Sequence, residues 1–444
     1  MSFLQKQNML LGMNSRGLEY IRRANHRRAI QIADNKLLTK KILRQAGLAV
    51  PKLFATIKNP FELAKFDWQN LPPSFTLKPN RGLGGKGIII VYGKKSANDD
   101  LANTKWINAD RSQITIADIQ NHILNILEGT YAITNLPDIA FFEERLKINK
   151  LLKPYCHRGI PDIRVIVYNN VPVMAELRLP TAESGGRANL HLGGIGVGID
   201  LGSGITTSAI QHDKLVDYVP GTRLILSGIK LPFWRTILEM SIEAQRACNL
   251  GFAGVDIALD RDQGPVILEI NARPGLAIQI ANLAPLKDRL ERVKGLKIKT
   301  VSKGARLAGE LFGGEVEEEL EEISGRKMVG IYEKIKIIAP NNQELSLVAK
   351  IDSGAYRSSI CQTLIDKLNV NPESNRAKIV RSSLGQEERQ IVPLNFILDD
   401  NLIESEVFVA DRTQMQFDMI IGRRDLKQFL IDPTKNLHLA KINS

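Results

Sequence analysis

Residues 75–91 read FTLKPNRGLGGKGIIIV. Within this stretch, residues 82–87 fit the pattern G-x-G-x-x-G, which often marks a nucleotide-binding loop. A Rossmann fingerprint requires a helix after the glycines, and a Walker A loop requires Ser or Thr after its Gly-Lys pair. Here Lys86 is followed by Gly87, and the β-branched run 88–91 predicts a strand. The stretch therefore predicts a glycine hairpin between two strands, whose backbone N–H groups can cover phosphates.

The bulk composition is that of a soluble globular protein with two or three domains. The chain has 444 residues, of which 43% are hydrophobic and 24% charged. No apolar run is long enough for a transmembrane helix, and the first residues lack the apolar core of a signal peptide. The cysteines Cys156, Cys248 and Cys361 lie far apart, which indicates neither a disulfide framework nor a zinc site. We therefore expect a cytoplasmic protein without a membrane span.

The net charge of +12 is concentrated near the N-terminus, at Arg16, Arg22, Arg23, Arg27, Arg28, Lys36, Lys40, Lys41 and Arg44. The simplest interpretation is a solvated helical face. An acidic substrate, an anionic membrane surface and nucleic acid are the alternatives. Nucleic acid is not expected, because the sequence has no RNP-type aromatic motif, zinc finger or interleaving of basic and aromatic residues.

Mixed helices and strands are predicted throughout residues 1–300, which favours an α+β domain. Residues 14–47 have a helical pattern, in which Asp34 is a candidate N-cap for the helix that begins at Lys36. Asn169 and Asn170 predict a hairpin turn between two strands. Further helices are predicted near 116–127 and 232–250, and strands at 53–57, 75–78, 139–146, 163–168, 171–177, 255–259 and 266–270.

The character of the sequence changes after residue 300. Residues 301–326 are punctuated by Gly304, Gly309, Gly313 and Gly314 and contain a strongly acidic run at 315–322, so they predict a linker that contains at most one short helix. Residues 327–444 form short alternating patterns, with strands predicted at 333–338, 345–351, 391–398 and 403–410. This part predicts a small all-β domain.

Three side chains near residue 260 predict a metal site. Glu269 and Asn271 are two residues apart on a predicted strand, so their side chains point to the same face. Asp256 lies on the partner strand. Two carboxylates and an amide oxygen suit Mg²⁺, a hard cation that prefers oxygen ligands. The alternative for these residues alone is a polar hairpin face.

Other candidate site residues lie between the glycine hairpin and this metal site. Arg164 is in a strand, where it can stabilise phosphate oxygens by charge-assisted contacts. Glu143 and Glu144 interrupt an apolar strand whose backbone edge can bind adenine, with a carboxylate on the ribose. His191 lies in the stretch NLHLGG. The structural alternatives are a surface ion pair for Arg164, simple exposure for the two glutamates and a core position for His191.

Taken together, these stretches resemble ATP-grasp carboxylate–amine ligases. The similarity is to the alpha-L-glutamate ligase-like group, which is related to the enzymes that add glutamate to ribosomal protein tails. It implies a fold of two α+β lobes that grip ATP, with Mg²⁺ or Mn²⁺ as the metal. The matching stretches cover most of residues 10–280: LGMNSRGLEYI, ADNKLLTKKILRQAGLAVP, FTLKPNRGLGGKGIII, FFEERL, PDIRVIV, NLHLGG and GVDIALDRDQGPVILEINARPGL.

The resemblance also implies roles for individual residues. The cofactor-binding residues would be Lys78, which binds phosphate, the covering-loop residues Gly84, Gly85, Lys86 and Gly87, and Glu143 and Glu144. The metal ligands would be Asp256, Glu269 and Asn271, and Arg164 would be catalytic. In the implied reaction ATP phosphorylates a carboxylate, and an amine then attacks the acylphosphate to form an amide. Arg273 replaces the small residue that is usual in the ribosomal-tail ligases. It therefore hints at another anionic substrate, and His191 is the second substrate-contact candidate.

The C-terminal domain has a motif of its own. Asp352-Ser353-Gly354 follows an apolar strand, and residues 419–426 read MIIGRRDL. Together they resemble retropepsin-like aspartic proteases, of the branch often labelled ATP-dependent zinc protease. The zinc label has no support in the sequence, which lacks H-E-x-x-H. An aspartic protease needs two carboxylates that share a proton, so catalysis by Asp352 would require a homodimer. The alternative is a domain that folds but does not cleave peptides.

The sequence thus predicts an ATP-grasp ligase domain at 1–300, a linker at 301–326 and a retropepsin-like barrel domain at 327–444. The expected partners are amino-acid or peptide carboxylates and amines, and a protein target. The C-terminal domain is predicted to act on the same or a related target. Two alternatives remain: a ligase whose C-terminal domain only binds or dimerises, and an adaptor that binds ATP without turnover.

Overall fold

The chain is described by a computed structural model, which covers residues 10–439 except 83, 96–104, 109, 133–135, 315–325, 340–342, 371–376, 383–384, 434 and 437–438. The acidic run at 315–322 therefore lies outside the described residues. The chain divides into two compact units, Met1–Val316 and Glu317–Ser444. This boundary falls inside the predicted linker.

The first sheet of the first unit has six strands in the order β1-β6-β2-β3-β4-β5. Its core is aromatic: Phe75, Trp106 and Phe142 are buried side by side beneath the helix Ile116–Leu127. A capping box at Thr115 starts that helix, because the Thr115 and Asp118 side chains bond each other's backbone N–H groups. The strands are β1 Leu53–Ile57, β2 Phe75–Pro79, β3 Ile89–Lys95, β4 Lys105–Asn108, β5 Gln113–Thr115 and β6 Ala140–Glu143.

The second sheet has seven strands in the order β11-β10-β9-β8-β7-β12-β13. As predicted, Asn169 and Asn170 form the turn between β7 and β8, and both have the positive φ that such turns require (51° and 61°). The strands are β7 Asp162–Tyr168, β8 Val171–Leu179, β9 Ile195–Ile199, β10 Thr206–Gln211, β11 Lys214–Leu215, β12 Phe252–Asp260 and β13 Gly264–Asn271.

Helices and helical turns surround the second sheet, and the N-terminal segment packs on its core through Leu11, Tyr20 and Ile21. The helix Trp234–Ala247 covers the sheet with its apolar face. The other helical segments of this unit are Met13–Ser15, Arg16–Ile21, Arg22–Ala24, Arg27–Ala33, Lys36–Gln45, Pro60–Ala64, Trp68–Asn70, Lys153–Tyr155, Leu190–Leu192, Ile278–Ala281, Leu286–Val293 and Val301–Phe312.

The predicted N-cap at Asp34 is wrong. The carboxamide of Asn35 accepts the bond from the N–H of Leu38 and starts the helix Lys36–Gln45. Asp34 instead forms an ion pair with Arg273, described below. Both residues have the capping chemistry, so the sequence alone did not choose between neighbours.

The first part of the predicted linker is helical. Val301–Phe312 packs on the core of the first unit with Ala305, Ala308 and Phe312 buried. The glycines in this helix allow close packing and do not mark a loop. A Cβ on Gly304 would lie 2.1 Å from the carbonyl oxygen of Asn170, so no larger residue fits there.

The second unit contains a closed barrel. Its sheet has the order β15-β16-β21-β17-β20-β19-β18, and β15 also pairs with β19, which closes six strands into a ring. The barrel is filled by apolar side chains such as Ile337, Val392 and Phe396. The strands are β14 Lys327–Val329, β15 Tyr332–Ile338, β16 Glu344–Asp352, β17 Ser359–Cys361, β18 Ala377–Ser382, β19 Gly385–Leu398, β20 Asn401–Ala410, β21 Met419–Gly422 and β22 Phe429–Ile431, with one helix at Gln362–Lys367. The all-β prediction is confirmed, while the likeness to retropepsins stays a prediction.

Across the described residues, no helix combines the length and the hydropathy needed to cross a membrane.

Candidate active site

A large cavity lies between the two sheets of the first unit. Its volume is about 1040 Å³. The residues that line it include nearly all the predicted site residues: Lys78, Gly84, Gly85, Lys86, Glu143, Glu144, Arg164, His191, Asp256, Glu269, Asn271 and Arg273. The structure thus brings the proposed phosphate and metal residues into one cleft, although their individual roles stay predictions. Asp352 belongs to the other unit.

Two lysines share one buried carboxylate on the side of the first sheet. Glu143, on β6, is 1% exposed, and its oxygens lie 2.6 Å from Lys40 Nζ and 2.6 Å from Lys78 Nζ. Burial alone would raise the pKa of Glu143, but Lys40 and Lys78 together hold it below its usual value. Both oxygens of Glu143 thus bind lysines, and the predicted cofactor contact through Glu143 or Glu144 stays a prediction. Glu143 instead fixes the position of Lys78.

The second sheet presents a row of charged side chains to the same cavity. Cross-strand pairing aligns Glu176, Arg164, Asp256 and Glu269 across β8, β7, β12 and β13. Arg164 donates two bonds to Asp256, from Nε to Oδ1 (2.8 Å) and from Nη2 to Oδ2 (2.7 Å). Arg178 donates from Nη2 to Asp256 (2.8 Å) and from Nε to Asp162 (2.6 Å). The row is a largely buried network in which two guanidinium groups hold the Asp256 carboxylate.

The network shifts several pKa values. Burial would raise the pKa of Asp256, but Arg164 and Arg178 together lower it to about 2. Burial raises the pKa of Glu176, against the opposing effect of Arg178 and Arg164. Asp256 therefore stays ionised at neutral pH, and the arginines remain fixed around it.

Three oxygen-bearing side chains meet at one end of this row. Asn271 Nδ2 lies 3.2 Å from Asp256 Oδ2 and 3.3 Å from Glu269 Oε1. Carboxylate and carboxamide oxygens suit Mg²⁺, which commonly takes one or two carboxylates together with phosphate oxygens. Both oxygens of Asp256 accept bonds from arginine, and its role as a metal ligand stays a prediction. Glu269 and Asn271 are the side chains that would hold the ion, and no cluster of three His, Cys, Asp or Glu side chains occurs within the described residues.

Described residues of the glycine hairpin line this cleft. Gly84, Gly85 and Gly87 have φ values of +63°, +75° and +73°, which favour glycine. A Cβ on Gly87 would also collide with the ring of Tyr131 at 2.6 Å. Gly87 itself is not among the residues that line the cavity, unlike its neighbours. Lys36 ties the hairpin to the helix Lys36–Gln45, because its Nζ donates to the carbonyl of Gly82 (2.6 Å).

A second loop contributes to the same cleft. Arg187, Asn189 and His191 line the cavity, and a Cβ on Gly85 would lie 3.5 Å from the Arg187 side chain. His191 is exposed, which contradicts a core position for it. The Glu144 carboxylate accepts a bond from Gln263 Nε2 (2.8 Å) and lies at the cavity edge.

Residues 15–295 match the model of the sugar-transfer associated ATP-grasp family, which is well over half of the 444-residue chain. The chain belongs to the sugar-transfer associated ATP-grasp family. ATP-grasp enzymes use ATP and Mg²⁺, so the cofactor prediction is confirmed at the level of the family. The match ends before the second unit and carries no information about the retropepsin resemblance.

Curated relatives of this ATP-grasp chain are named as ligases. A probable alpha-L-glutamate ligase of Xanthomonas oryzae pv. oryzae is 25% identical over 250 residues, which is 56% of this chain and 59% of the relative. A probable alpha-L-glutamate ligase of Xylella fastidiosa is 24% identical over 249 residues, covering 56% and 58% of the two chains. The match thus spans somewhat over half the length of these relatives. Among solved structures, the D-alanine–D-alanine ligase of Bacillus anthracis aligns with a TM-score of 0.30 and 17% identity, over 64% of this chain and 68% of that one.

The charged residues of the cleft that sequence reasoning missed include Lys40, Asp162 and Arg178. Asp162 and Arg178 had a readable signal, because they alternate with Arg164 and Glu176 on the strands of one predicted hairpin. Lys40 lies one helical turn after Lys36, so both point to the same side of their helix. Charges at these spacings in apolar elements would have pointed to a shared face.

Proposed function

We propose that the first unit is an ATP-dependent carboxylate–amine ligase that forms an amide through an acylphosphate. The observation that carries this proposal is the cavity in which Lys78 faces Arg164, Asp256, Glu269 and Asn271. Cations and metal-binding oxygens on opposite sheets of one cleft are what phosphoryl transfer requires, because the transferred group carries charge on several oxygens. The names of the curated relatives also support a ligase.

In the proposed reaction, a substrate carboxylate oxygen attacks the γ-phosphorus of ATP, and the bond to the β,γ-bridging oxygen breaks to release ADP. An amine then attacks the acyl carbon, and phosphate leaves with the electron pair of the broken C–O bond. Lys78 and Arg164 would neutralise the phosphoryl oxygens. Closure of the glycine hairpin excludes water, which otherwise hydrolyses the acylphosphate.

The metal fits this arrangement at Glu269 and Asn271. Mg²⁺ bound there would polarise phosphoryl oxygens as a Lewis acid. Asp256 contributes differently, because it orients Arg164 and Arg178 and keeps both guanidinium groups charged in a buried site.

The proposal is tested by screening amino acids and acidic peptides for ADP formation that depends on both a carboxylate and an amine, with mass spectrometry of the products. Glu269→Ala should reduce the rate by about a thousandfold, since the metal contributes several kcal/mol of charge stabilisation. Asp262→Ala is the matched control, because Asp262 is an exposed acid in the turn of the same β12–β13 hairpin.

The alternative of an adaptor that binds ATP without turnover makes the opposite prediction. If ATP binds but no carboxylate–amine pair yields ADP above the Glu269→Ala background, the ligase proposal is wrong.

For the second unit, we propose a retropepsin-like peptidase that works as a homodimer. Asp352 ends β16 beside Gly422 of β21, and its Oδ1 accepts bonds from the N–H groups of Gly354 (3.0 Å) and Ala355 (3.2 Å). Such a turn orients a carboxylate, and a second Asp352 would supply the proton partner that aspartic proteases need. The oriented carboxylate of Asp352 and the closed barrel support this proposal.

Its test is peptide cleavage by the full chain and by Asp352→Asn, monitored on a mixture of peptides by mass spectrometry. Loss of cleavage in Asp352→Asn, with ADP formation unchanged, supports a peptidase. Equal products from both proteins, or no cleavage by either, leave a binding or dimerisation domain as the better account.

A further inference from the structure

A second, smaller cavity adjoins the proposed active site and is rich in arginine. Its volume is about 500 Å³, and Arg22, Arg27 and Arg273 line it. Arg273 also lines the large cleft, so the two cavities share one wall. Asp34 is the only acid among the residues that line the smaller cavity within the described chain.

The floor of this cavity is fixed by a buried side chain. Asn25 is 5% exposed and donates to the carbonyls of Phe252 (2.8 Å) and Ala272 (3.1 Å). It also accepts bonds from the N–H groups of Gly251 (3.0 Å) and Phe252 (2.9 Å). The segment that carries Arg22 and Arg27 is therefore hydrogen-bonded through Asn25 to the start of β12 and to Ala272, which follows β13. These two strands carry the proposed metal residues.

A carboxylate of the chain itself, that of Asp34, binds one of the arginines of this cavity. Arg273 Nη1 and Nη2 donate to the two oxygens of Asp34 at 2.8 Å and 3.2 Å, in the bidentate geometry typical of arginine and carboxylate. Both partners are about half exposed, so water or an incoming anion can reach the pair. Arg22 and Arg27 are exposed and have no hydrogen-bond or ion-pair partner within the described part of the chain.

A further arginine, Arg16, lies close to Arg273, the residue that the two cavities share. Arg16 donates from Nη1 to the carbonyl of Pro274 (2.7 Å), next to Arg273. Burial, together with the charge of Arg273, lowers the pKa of Arg16. Several guanidinium groups thus surround a cavity that contains a single acid, and an added carboxylate would be attracted to it.

We propose that Arg22, Arg27 and Arg273 form a subsite for carboxylate groups of an acidic peptide substrate, whose reacting end extends into the large cleft. An incoming carboxylate displaces Asp34 from Arg273, and further acidic side chains bind Arg22 and Arg27. This proposal rests on the proposed ligase function for its meaning, because it specifies which substrate class the ligase would accept. The binding itself does not require turnover.

The test uses a fluorescein-labelled hexaglutamate peptide and the full chain, with fluorescence anisotropy in the absence of ATP. The double variant Arg22→Gln/Arg27→Gln should bind at least about tenfold more weakly, because two charge-assisted contacts are lost. The matched control is Arg23→Gln/Arg28→Gln, which removes the same charge from exposed neighbours that do not line the cavity. Asp34→Asn should strengthen binding, since the internal competitor is removed.

Three results would overturn the subsite: no binding of hexaglutamate, equal losses in the two double variants, or competition by an oligothymidine as strong as that by unlabelled hexaglutamate. The last outcome would indicate a general polyanion surface. Binding that follows the expected pattern without any ADP formation would support the subsite and count against the ligase. ADP formation from acidic substrates with equal KM in both double variants would support the ligase and count against the subsite.

Discussion

Each unit of the molecule places one carboxylate between two arginines, but in different surroundings. In the first unit, Asp256 binds Arg164 and Arg178, and it is 1% exposed. In the barrel, Glu406 accepts bonds from Arg357 (2.9 Å) and Arg424 (3.4 Å), and its side chain is 37% exposed. The charge pattern is the same, whereas access to water is not.

The difference shows what burial adds to an ion pair. Water screens the charges of the Glu406 cluster, so its ion pairs contribute little free energy to folding. The Asp256 network has lost its hydration, so its charges interact strongly and each depends on its partners. A buried set of fixed charges can stabilise a phosphoryl group without reorganising, which is the role proposed for the first cluster.

The sharpest test of this contrast removes one arginine from each cluster. Arg178→Met leaves Asp162 and Asp256 with fewer partners in a buried site, so we expect a loss of about 3–5 kcal/mol in unfolding free energy. Urea titration monitored by tryptophan fluorescence measures this, because Trp68, Trp106 and Trp234 are all in the first unit.

The matched variant in the barrel is Arg424→Met, which should cost at most about 1 kcal/mol. Hydrogen exchange with mass spectrometry can follow the barrel peptides separately. Similar losses in the two units would mean that burial does not distinguish the clusters.

The second test uses acid. The pKa of Asp256 is about 2 in the folded protein, against 3.8 as the usual value. The stability that ionised Asp256 contributes is therefore present above about pH 4 and is lost as the pH falls towards about 2, a change of about 2 kcal/mol. Asp256→Asn should be strongly destabilised at neutral pH, and the difference from wild type in urea titrations should shrink below about pH 4. A difference that does not vary with pH would contradict the assignment.

The third test concerns the other wall of the cleft. In Lys40→Met, the charge of Glu143 is balanced by Lys78 alone, so less positive charge is left for the phosphates, and ATP should bind about tenfold more weakly. Titration with a fluorescent ATP analogue measures the affinity, and tryptophan fluorescence checks the fold. Lys41→Met is the control, because Lys41 is the next residue of the helix and its side chain is exposed. Equal affinities for the two variants would show that Lys40 has no role in nucleotide binding.

Much of the fold was predictable because local patterns were clear. The helix Ile116–Leu127, the turn at Asn169 and Asn170 and four of the six barrel strands (β15, β16, β19 and β20) follow from periodicity and turn chemistry. Val301–Phe312 was predicted only as part of a linker with at most one short helix, because its glycines have a tertiary cause and not a local one. Gly304 is required by contact with the carbonyl of Asn170, more than a hundred residues away in sequence, and no local pattern shows such an approach.

The sequence predicted the residues of the site better than the contacts between their side chains. Lys78, Arg164, Asp256 and Glu269 were each identified and do share one cleft. The side-chain partners of the acids were not predicted, because pairing depends on cross-strand register and on which side chains lose their water. The sequence therefore predicted which charges are present but not that Glu143 binds two lysines and Asp256 two arginines.

The path of the chain through the first unit has a mechanical consequence. The N-terminal segment packs on the core of the second sheet, and the first sheet is an insertion that leaves after Leu48 and returns near Leu146. The two crossings run side by side, with the N–H of Glu144 bonded to the carbonyl of Lys52 (2.8 Å) and Leu53 paired with Glu143. The two covalent connections between the lobes are therefore held together by backbone hydrogen bonds, and Glu143, which binds Lys40 and Lys78, lies at the paired end of one of them.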